Sequence, residues 1–338
     1  MAKKLVKRRA ADHSQLLRWS VQCAFLLLNV WIGVQFYFFV RHYETFGATA
    51  PVARPPGVEG WLPIASLMNL KVLLLTGALP SVHPAGLFLL VAFLSISFLL
   101  RKAFCSWLCP VGTFSEWLWR IGRRTFRRNF FLPRWADVGL RSLKYVLMAL
   151  FLYAVASMSV PTIRAFLDGP YGVISDVKML NFFRFLGVTS AIVLGALVLL
   201  SVLVQNFWCR YLCPYGALLG LAARLSPARI RRAPNICIDC AKCAVACPAR
   251  LPVDKLITIG SPECTGCLEC VAVCPAEGAL WMSVGKRRAI PAWAFAAAIA
   301  ILFFGIVGYA QLSGHWQTNL PSQVYQDLVP RANEFAHP

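Results

Sequence analysis

Cys237-Ile238-Asp239-Cys240-Ala241-Lys242-Cys243-Ala244-Val245-Ala246-Cys247-Pro248 is followed by Cys264-Thr265-Gly266-Cys267-Leu268-Glu269-Cys270-Val271-Ala272-Val273-Cys274-Pro275, the same spacing a second time. A four-iron cube needs one soft thiolate per metal, all converging on a sphere a few ångströms across. Gaps of two residues wrap the backbone round such a cube so that its amides can reach the sulfurs. The last cysteine, set ahead of proline, leaves that loop and reaches the neighbouring cube. The spacing therefore predicts two [4Fe–4S] clusters, one on Cys237, Cys240, Cys243 and Cys274, the other on Cys264, Cys267, Cys270 and Cys247. Zinc knuckles also use Cys-x2-Cys pairs, but zinc needs four ligands and no three-cysteine run closed by Cys-Pro.

Moving outward, Phe104-Cys105-Ser106-Trp107-Leu108-Cys109-Pro110-Val111-Gly112 matches Trp208-Cys209-Arg210-Tyr211-Leu212-Cys213-Pro214-Tyr215-Gly216. On a continuing helix the two cysteines of each copy share one face. The proline disfavours helix in the residue before it, and the glycine two positions later permits a turn. Brought together, the copies offer Cys105, Cys109, Cys209 and Cys213 to a further iron–sulfur cluster or a redox metal. The alternative is that these cysteines pack as small apolar residues. Cys23, alone in an apolar stretch, reads as a buried structural cysteine.

Around the cysteines the chain is built for a bilayer. Its 338 residues are 58% hydrophobic and 14% charged, with mean hydropathy +0.62, against about 45–50% and 25% in soluble domains. Disorder, collagen-like repeats and a small disulfide scaffold are excluded. A helical span needs about 20 apolar residues, and Leu16–Val40, Pro84–Leu100 running on to Phe104, Val138–Pro161, Leu186–Phe207 and Ala289–Leu312 qualify. Trp61–Pro80, interrupted by Lys71, reads as a re-entrant or interfacial helix. Lys3, Lys4, Lys7, Arg8 and Arg9 hold the amino terminus inside, so Arg101–Arg134 and Arg210–Arg288 also lie inside and residues 41–83, 162–185 and the tail after Leu312 lie outside. That side keeps the eight clustered cysteines reduced. The net charge of +20 sits at span ends facing anionic lipid, so nucleic acid is not expected as a partner. Ala48-Thr49-Ala50 looks like a signal cleavage site, but the first apolar stretch is too long for a signal core and is expected to stay as an anchor.

Paired Cys-x3-Cys-Pro spans followed by a doubled ferredoxin motif resemble the NapH/NosR/CcoG group of membrane-bound polyferredoxins, over roughly residues 16–285. The group includes quinol-linked ferredoxin-type proteins of periplasmic nitrate reduction. The resemblance implies electron transfer in a bacterial inner membrane, serving a periplasmic reductase or its maturation. The chain departs from relatives with a large periplasmic flavin-binding domain, of which only Gly47-Ala48-Thr49 resembles a fragment. It also departs from those with an appended C-terminal periplasmic domain, and it adds a fifth span and a short tail to the nitrate-type pattern.

The expected fold is an all-α membrane bundle of about five transmembrane helices with a parallel pseudo-two-fold repeat, carrying an inserted cytoplasmic α+β two-cluster ferredoxin domain. The expected divisions are 1–135 and 136–228 for the two membrane repeats, 229–285 for the ferredoxin domain, 286–312 for the fifth helix and 313–338 for a periplasmic tail. The expected function is electron transfer between the quinone pool or a cytoplasmic donor and a periplasmic respiratory reductase. The competing reading is a maturation or regulatory factor that reduces a metal or a partner. A transporter is disfavoured by the scarcity of intramembrane charge. Expected partners are membrane lipid and other redox subunits, one of them periplasmic. No dinucleotide fingerprint and no Cys-x-x-Cys-His haem motif occurs. For a quinone, His83, Arg164 and Asp168 are candidate anchors and His42 a weaker one. The tail, with His315, Trp316, Tyr325, Phe335 and His337, is expected to lie over the outer face of the bundle or to dock a partner.

Overall fold

The structure is a computed structural model that describes residue 7 and residues 12–127, 130–285 and 288–337. Lys3, Lys4, Arg8 and Arg9, on which the expected orientation leans, lie outside the described residues. The fold is mostly helical, with one small sheet. In order, the helices are α1 (Ser14–Glu44), α2 (Pro63–Thr76), α3 (Pro84–Leu100), α4 (Ala103–Trp107), α5 (Pro110–Phe126), α6 (Arg134–Ser157), α7 (Val160–Asp168), α8 (Pro170–Val173), α9 (Ser175–Arg184), α10 (Val188–Leu203), α11 (Pro214–Arg224), α12 (Lys242–Ala246), α13 (Glu269–Ala272), α14 (Ala292–Leu312) and α15 (Ser322–Leu328).

Among the described residues, α1, residues 135–157 of α6, and α14 are long and apolar enough to cross a membrane. No more than 22% of any of their apolar windows is buried, and Leu27, Trp31 and Ile301 stand about two-thirds exposed. Such surfaces are stable only where the surroundings are themselves apolar, and this is a membrane protein. The fourth sequence segment is shorter than expected. It forms the 16-residue α10, preceded by α9 at an 82° bend, and only the pair together passes the same test. The Pro84 segment gives a 17-residue α3, ended by Arg101 in the left-handed region at φ 62°. Cys23 is exposed, not buried. It lies on α1, whose apolar surface needs no protein cover if lipid is its solvent.

The chain divides into two compact units, residues 1–26, 93–148 and 197–303 in one and residues 27–92, 149–196 and 304–338 in the other. The first holds the sheet, antiparallel in the order β2-β1-β3-β4, with β1 Ala228–Arg232, β2 Thr258–Ile259, β3 Leu280–Val284 and β4 Arg288–Ile290. Five residue pairs, from Ala228↔Val284 to Arg232↔Leu280, close β1 on β3 and bring together the two ends of the cysteine-rich segment.

The second unit is built on two apolar clusters. In one, Phe36, Phe39 and Val40 of α1 meet Val173, Ile174 and Val177, and the tail supplies Tyr325, Leu328, Val329 and Ala332. The tail thus joins this unit's core, with Tyr325 edge-on to Phe39 at 5.3 Å. In the other, Ala65, Met68 and Val72 of α2 pack against Val155, Ile163 and Leu167. Lys71, which interrupts the apolar run of α2, donates to the carbonyls of Val155, Ala156 and Met158 at 2.6–3.0 Å. A cation on orphan carbonyls at the end of α6 satisfies both the hydrogen-bond deficit and the helix dipole.

Candidate functional site

The two cysteine runs fold as two similar loops. In each, the residues on either side of the second cysteine are left-handed: Asp239 and Ala241 (φ 52° and 55°), then Gly266 and Leu268 (φ 64° and 61°). Alternating handedness turns successive backbone N–H groups inward and makes a concave anion nest. A short helix follows each loop, α12 after one and α13 after the other. Cys237, Cys240, Cys243 and Cys274 line one cavity with about 340 Å³ of empty space, part of it open. Cys247, Cys264, Cys267 and Cys270 line a second, likewise partly open to solvent. Each cavity therefore takes three thiols from one run and the fourth from the other. The remaining lining is largely aliphatic: Ile238, Ala276 and Leu280 in the first, Ile230, Leu251, Val253 and Ile259 in the second. Four lining cysteines, an amide nest and an apolar wall fit a cubane. Burial pushes the Cys247 thiol up to about 11 and Cys267 up to about 12, so iron ligation is what would hold these sulfurs as thiolates.

The second loop is fastened to the helices of its own unit. Gln15 Nε2 donates to the Cys267 carbonyl at 3.0 Å, Ser106 Oγ to the Thr265 carbonyl at 2.7 Å and Trp107 Nε1 to the Gly266 carbonyl at 3.2 Å. Arg101 donates to the carbonyls of Ala223 and Ser261. Glu269 accepts from Arg18 at 2.9 Å and from Arg120. Arg18 also grips Glu116 through two bonds of 2.7 Å. Burial alone would push the Glu116 carboxyl up, but Arg18 outweighs it and holds it at about 2. The first loop is more open, with Cys240 exposed.

The Cys-x3-Cys-Pro copies share a geometry that a continuing helix does not describe. The second cysteine of each has an extended backbone (φ −68°, ψ 118° at Cys109; φ −71°, ψ 104° at Cys213), and proline opens the next helix. Its sulfur caps that helix, accepting from Gly112 N–H at 3.4 Å and from Gly216 N–H at 3.2 Å. The glycine serves close packing in the first helical turn. A Cβ on Gly112 would stand 2.2 Å from the Cys105 carbonyl oxygen. The first cysteines differ, since Cys105 lies in α4 whereas Cys209 lies in a π-helical turn over Trp208–Leu212. Cys109 is within electrostatic reach of Cys105, Cys209 and Cys213, so the four thiols share one region. Among the described residues no three His, Cys, Asp or Glu side chains close on a single-metal position.

Lys102, Lys144 and Glu263 stand beside these cysteines and escaped the sequence reading. Lys144 Nζ bonds Glu263 at 2.6 Å, and Tyr145 O–H donates to it at 2.9 Å. Also missed was a buried ionic group in the second unit. Arg54 binds Glu59 at 2.7 Å and Asp176 at 2.7 Å, while His83 Nδ1 faces Arg54 at 3.2 Å and Glu59 at 3.6 Å. Glu59 also accepts the Gly86 N–H at 2.9 Å. His83 Nε2 meets the Gly172 carbonyl at 2.9 Å and the Ser175 hydroxyl at 3.1 Å. His83 is thus engaged at both nitrogens. Arg164 and Asp168 are exposed on α7. His42 Nδ1 meets the Thr49 carbonyl at 2.6 Å. His83 is buried, whereas Arg164 and Asp168 are exposed.

Two cavities each lined by four cysteines and a further four-cysteine region, on a chain with membrane-length apolar helices, point to a class: membrane-anchored iron–sulfur electron carriers. The comparisons give the family. The pattern of a 4Fe-4S binding domain matches residues 82–129 and again 186–233, once over each Cys-x3-Cys-Pro copy, and a 4Fe-4S dicluster domain matches residues 229–275. YccM of Escherichia coli (strain K12), which carries an electron-transport name, is 48% identical over 326 residues, 95% of this chain and 91% of its own. The regulatory protein NosR of Pseudomonas aeruginosa is 32% identical over 141 residues, 41% of this chain and 19% of its own. The ferredoxin-type protein NapH of Escherichia coli (strain K12) is 26% identical over 147 residues, 41% and 46% of the two chains. The chain spans nearly all of YccM and less than half of the other two. No solved structure matches it. The chain belongs to the membrane-bound polyferredoxin family of iron–sulfur electron transport proteins.

Proposed function

We propose that the chain carries electrons between the quinone pool or a cytoplasmic donor and a periplasmic respiratory reductase. It does so as a five-span inner-membrane protein with its N-terminus in the cytoplasm and its C-terminus in the periplasm. Cys237, Cys240, Cys243 and Cys274 would hold one [4Fe–4S] cluster, Cys264, Cys267, Cys270 and Cys247 a second, and Cys105, Cys109, Cys209 and Cys213 a third iron–sulfur centre. Bound there, such clusters supply one-electron chemistry with little atomic rearrangement. The observation that carries the reading is the hydrogen-bonded seam between Ser106 and Trp107, which lie between Cys105 and Cys109, and Thr265 and Gly266, which lie between Cys264 and Cys267. It supports an order in which the exposed Cys240 loop faces a soluble partner and the Cys264 loop faces the four-cysteine region. Five spans are supported by the apolar helices α1, α6 and α14, by α10 together with α9, and by the shorter apolar α3.

Anaerobic addition of quinol to the purified protein tests the direction from quinol. Bleaching of the visible cluster absorbance is the expected result. Clusters that ignore quinol and a reduced cytoplasmic carrier alike, yet pass their electrons stoichiometrically to added copper once reduced with dithionite, would overturn the reading in favour of a maturation factor.

A further inference from the structure

The four-cysteine region has a cation built into its wall. Lys102 precedes α4, three positions ahead of Cys105, and is 4% exposed. Its Nζ lies 3.4 Å from the point a Cβ would occupy on Gly216, and the Cys213 sulfur lies 3.4 Å from that same point. Ammonium and thiol therefore flank one narrow gap at the start of α11. Cys105 and Cys209 are within electrostatic reach of the same ammonium.

The surrounding charges do not cancel it. Glu263, the carboxylate in reach, is already engaged by Lys144 and Tyr145, so these two lysines and one glutamate leave a positive charge over. Arg210 meets Asp137 through two bonds of 2.8 and 2.9 Å, and that carboxylate also accepts from Tyr211 and pairs with Arg141, so this group has no anion to spare for Lys102. Burying an ammonium away from water is costly unless an anion is offered to it, and four thiolates with their iron core would be such an anion.

We propose that Lys102 is the fixed counter-charge of the four-cysteine centre and holds its reduction potential up. The inference rests on the reading of those cysteines as cluster ligands. Reduction adds negative charge to the centre, and a cation held nearby in a medium of low dielectric stabilises the reduced form more than the oxidised one. Lys102 is a positioning charge, not a ligand.

Redox titration followed by electron paramagnetic resonance, with iron and sulfide analysis on the same samples, tests it on the full chain. Lys102→Met is expected to keep the full iron content and to move the midpoint of one centre to lower potential. The two ferredoxin centres, as references in the same molecule, should stay where they are. Lys102→Arg, which keeps the charge, should titrate like the parent. An unmoved midpoint in a fully loaded Lys102→Met protein overturns the proposal. If that variant fails to load iron, Lys102→Gln, which keeps much of the length and a donor, is titrated in its place. Loss of the centre from both neutral variants with retention in Lys102→Arg would assign the charge to cluster retention and likewise overturn it. The underlying reading fails separately, if Cys105→Ser and Cys209→Ser retain as much iron and sulfide as the parent.

Discussion

Trp107 is fully buried, and its indole N–H reaches the carbonyl of Gly266 at 3.2 Å. Its ring meets Phe295 of α14 at 5.7 Å. One side chain therefore ties the four-cysteine segment, the second cluster loop and an apolar helix together. Trp107→Phe keeps the apolar bulk and deletes the bond, which leaves the carbonyl poorly satisfied at a cost of about 1–3 kcal/mol. The expected outcome is unchanged iron content with slower electron equilibration between the ferredoxin centres and the four-cysteine centre, measured by rapid-mixing absorbance. Equal rates would show that this bond only holds the loop.

The exchange of fourth cysteines between the runs has a direct test. Cys237→Ala and Cys274→Ala, 37 residues apart in sequence, should abolish the same resonance signal. Cys264→Ala and Cys247→Ala should abolish the other. If Cys247→Ala instead matches Cys237→Ala, each run serves its own cluster and the cavity pairing is wrong.

The buried Arg54, Glu59, His83 and Asp176 group sets a pH window for stability. Burial pushes the Glu59 carboxyl up, but Arg54 and then His83 outweigh it and hold it below its ordinary 4.5. Its stabilising contribution is present above the unfolded value and is lost as pH falls through the lowered folded one. Burial pushes the His83 imidazole down, but Glu59 and then Asp176 outweigh it and hold it above its ordinary 6.5. That contribution is complete below 6.5 and is lost as pH rises through the raised value. Tyr325 also feels Arg54, Glu59 and Asp176. Thermal unfolding in detergent should therefore peak on the acidic side of neutrality, between the two windows. His83→Gln should flatten the alkaline limb only. Glu59→Gln should cost about 3–5 kcal/mol, because it strands buried charge.

Removing the tail should be felt as lost stability. Deleting residues 313–337 strips Tyr325, Leu328, Val329 and Ala332 from the cluster around Phe36 and Phe39. Tyr325→Ala alone should cost about 3–5 kcal/mol, the range for truncating a large buried aromatic. A deletion variant that melts with the parent would return the tail to a docking role.

The grouping of the eight cysteines round two cavities was legible because their spacing is local and iron geometry tolerates few alternatives. The cap geometry of Cys109 and Cys213 was half legible. Proline in the next position signals a break, but that the sulfur takes the helix's own amide is visible only in the folded chain. The lengths of α3 and α10 were not legible, since hydropathy cannot see a left-handed residue such as Arg101 ending an apolar run. The Arg54 group was invisible for another reason. Its members come from four places in the chain, no short pattern links them, and each alone looks like an ordinary loop charge. Lys102 was overlooked because a basic residue at the end of an apolar segment is first read as a lipid-facing anchor.

Because Cys247 and Cys274 cross between the loops, neither loop supplies four sulfurs alone. Iron delivery to such a pair is expected to be cooperative. The first cube formed draws the far end of the opposite loop into position and so prepares the second. Under scarce iron a population of these molecules should divide into filled and empty, with few half-loaded, and native mass spectrometry can count them.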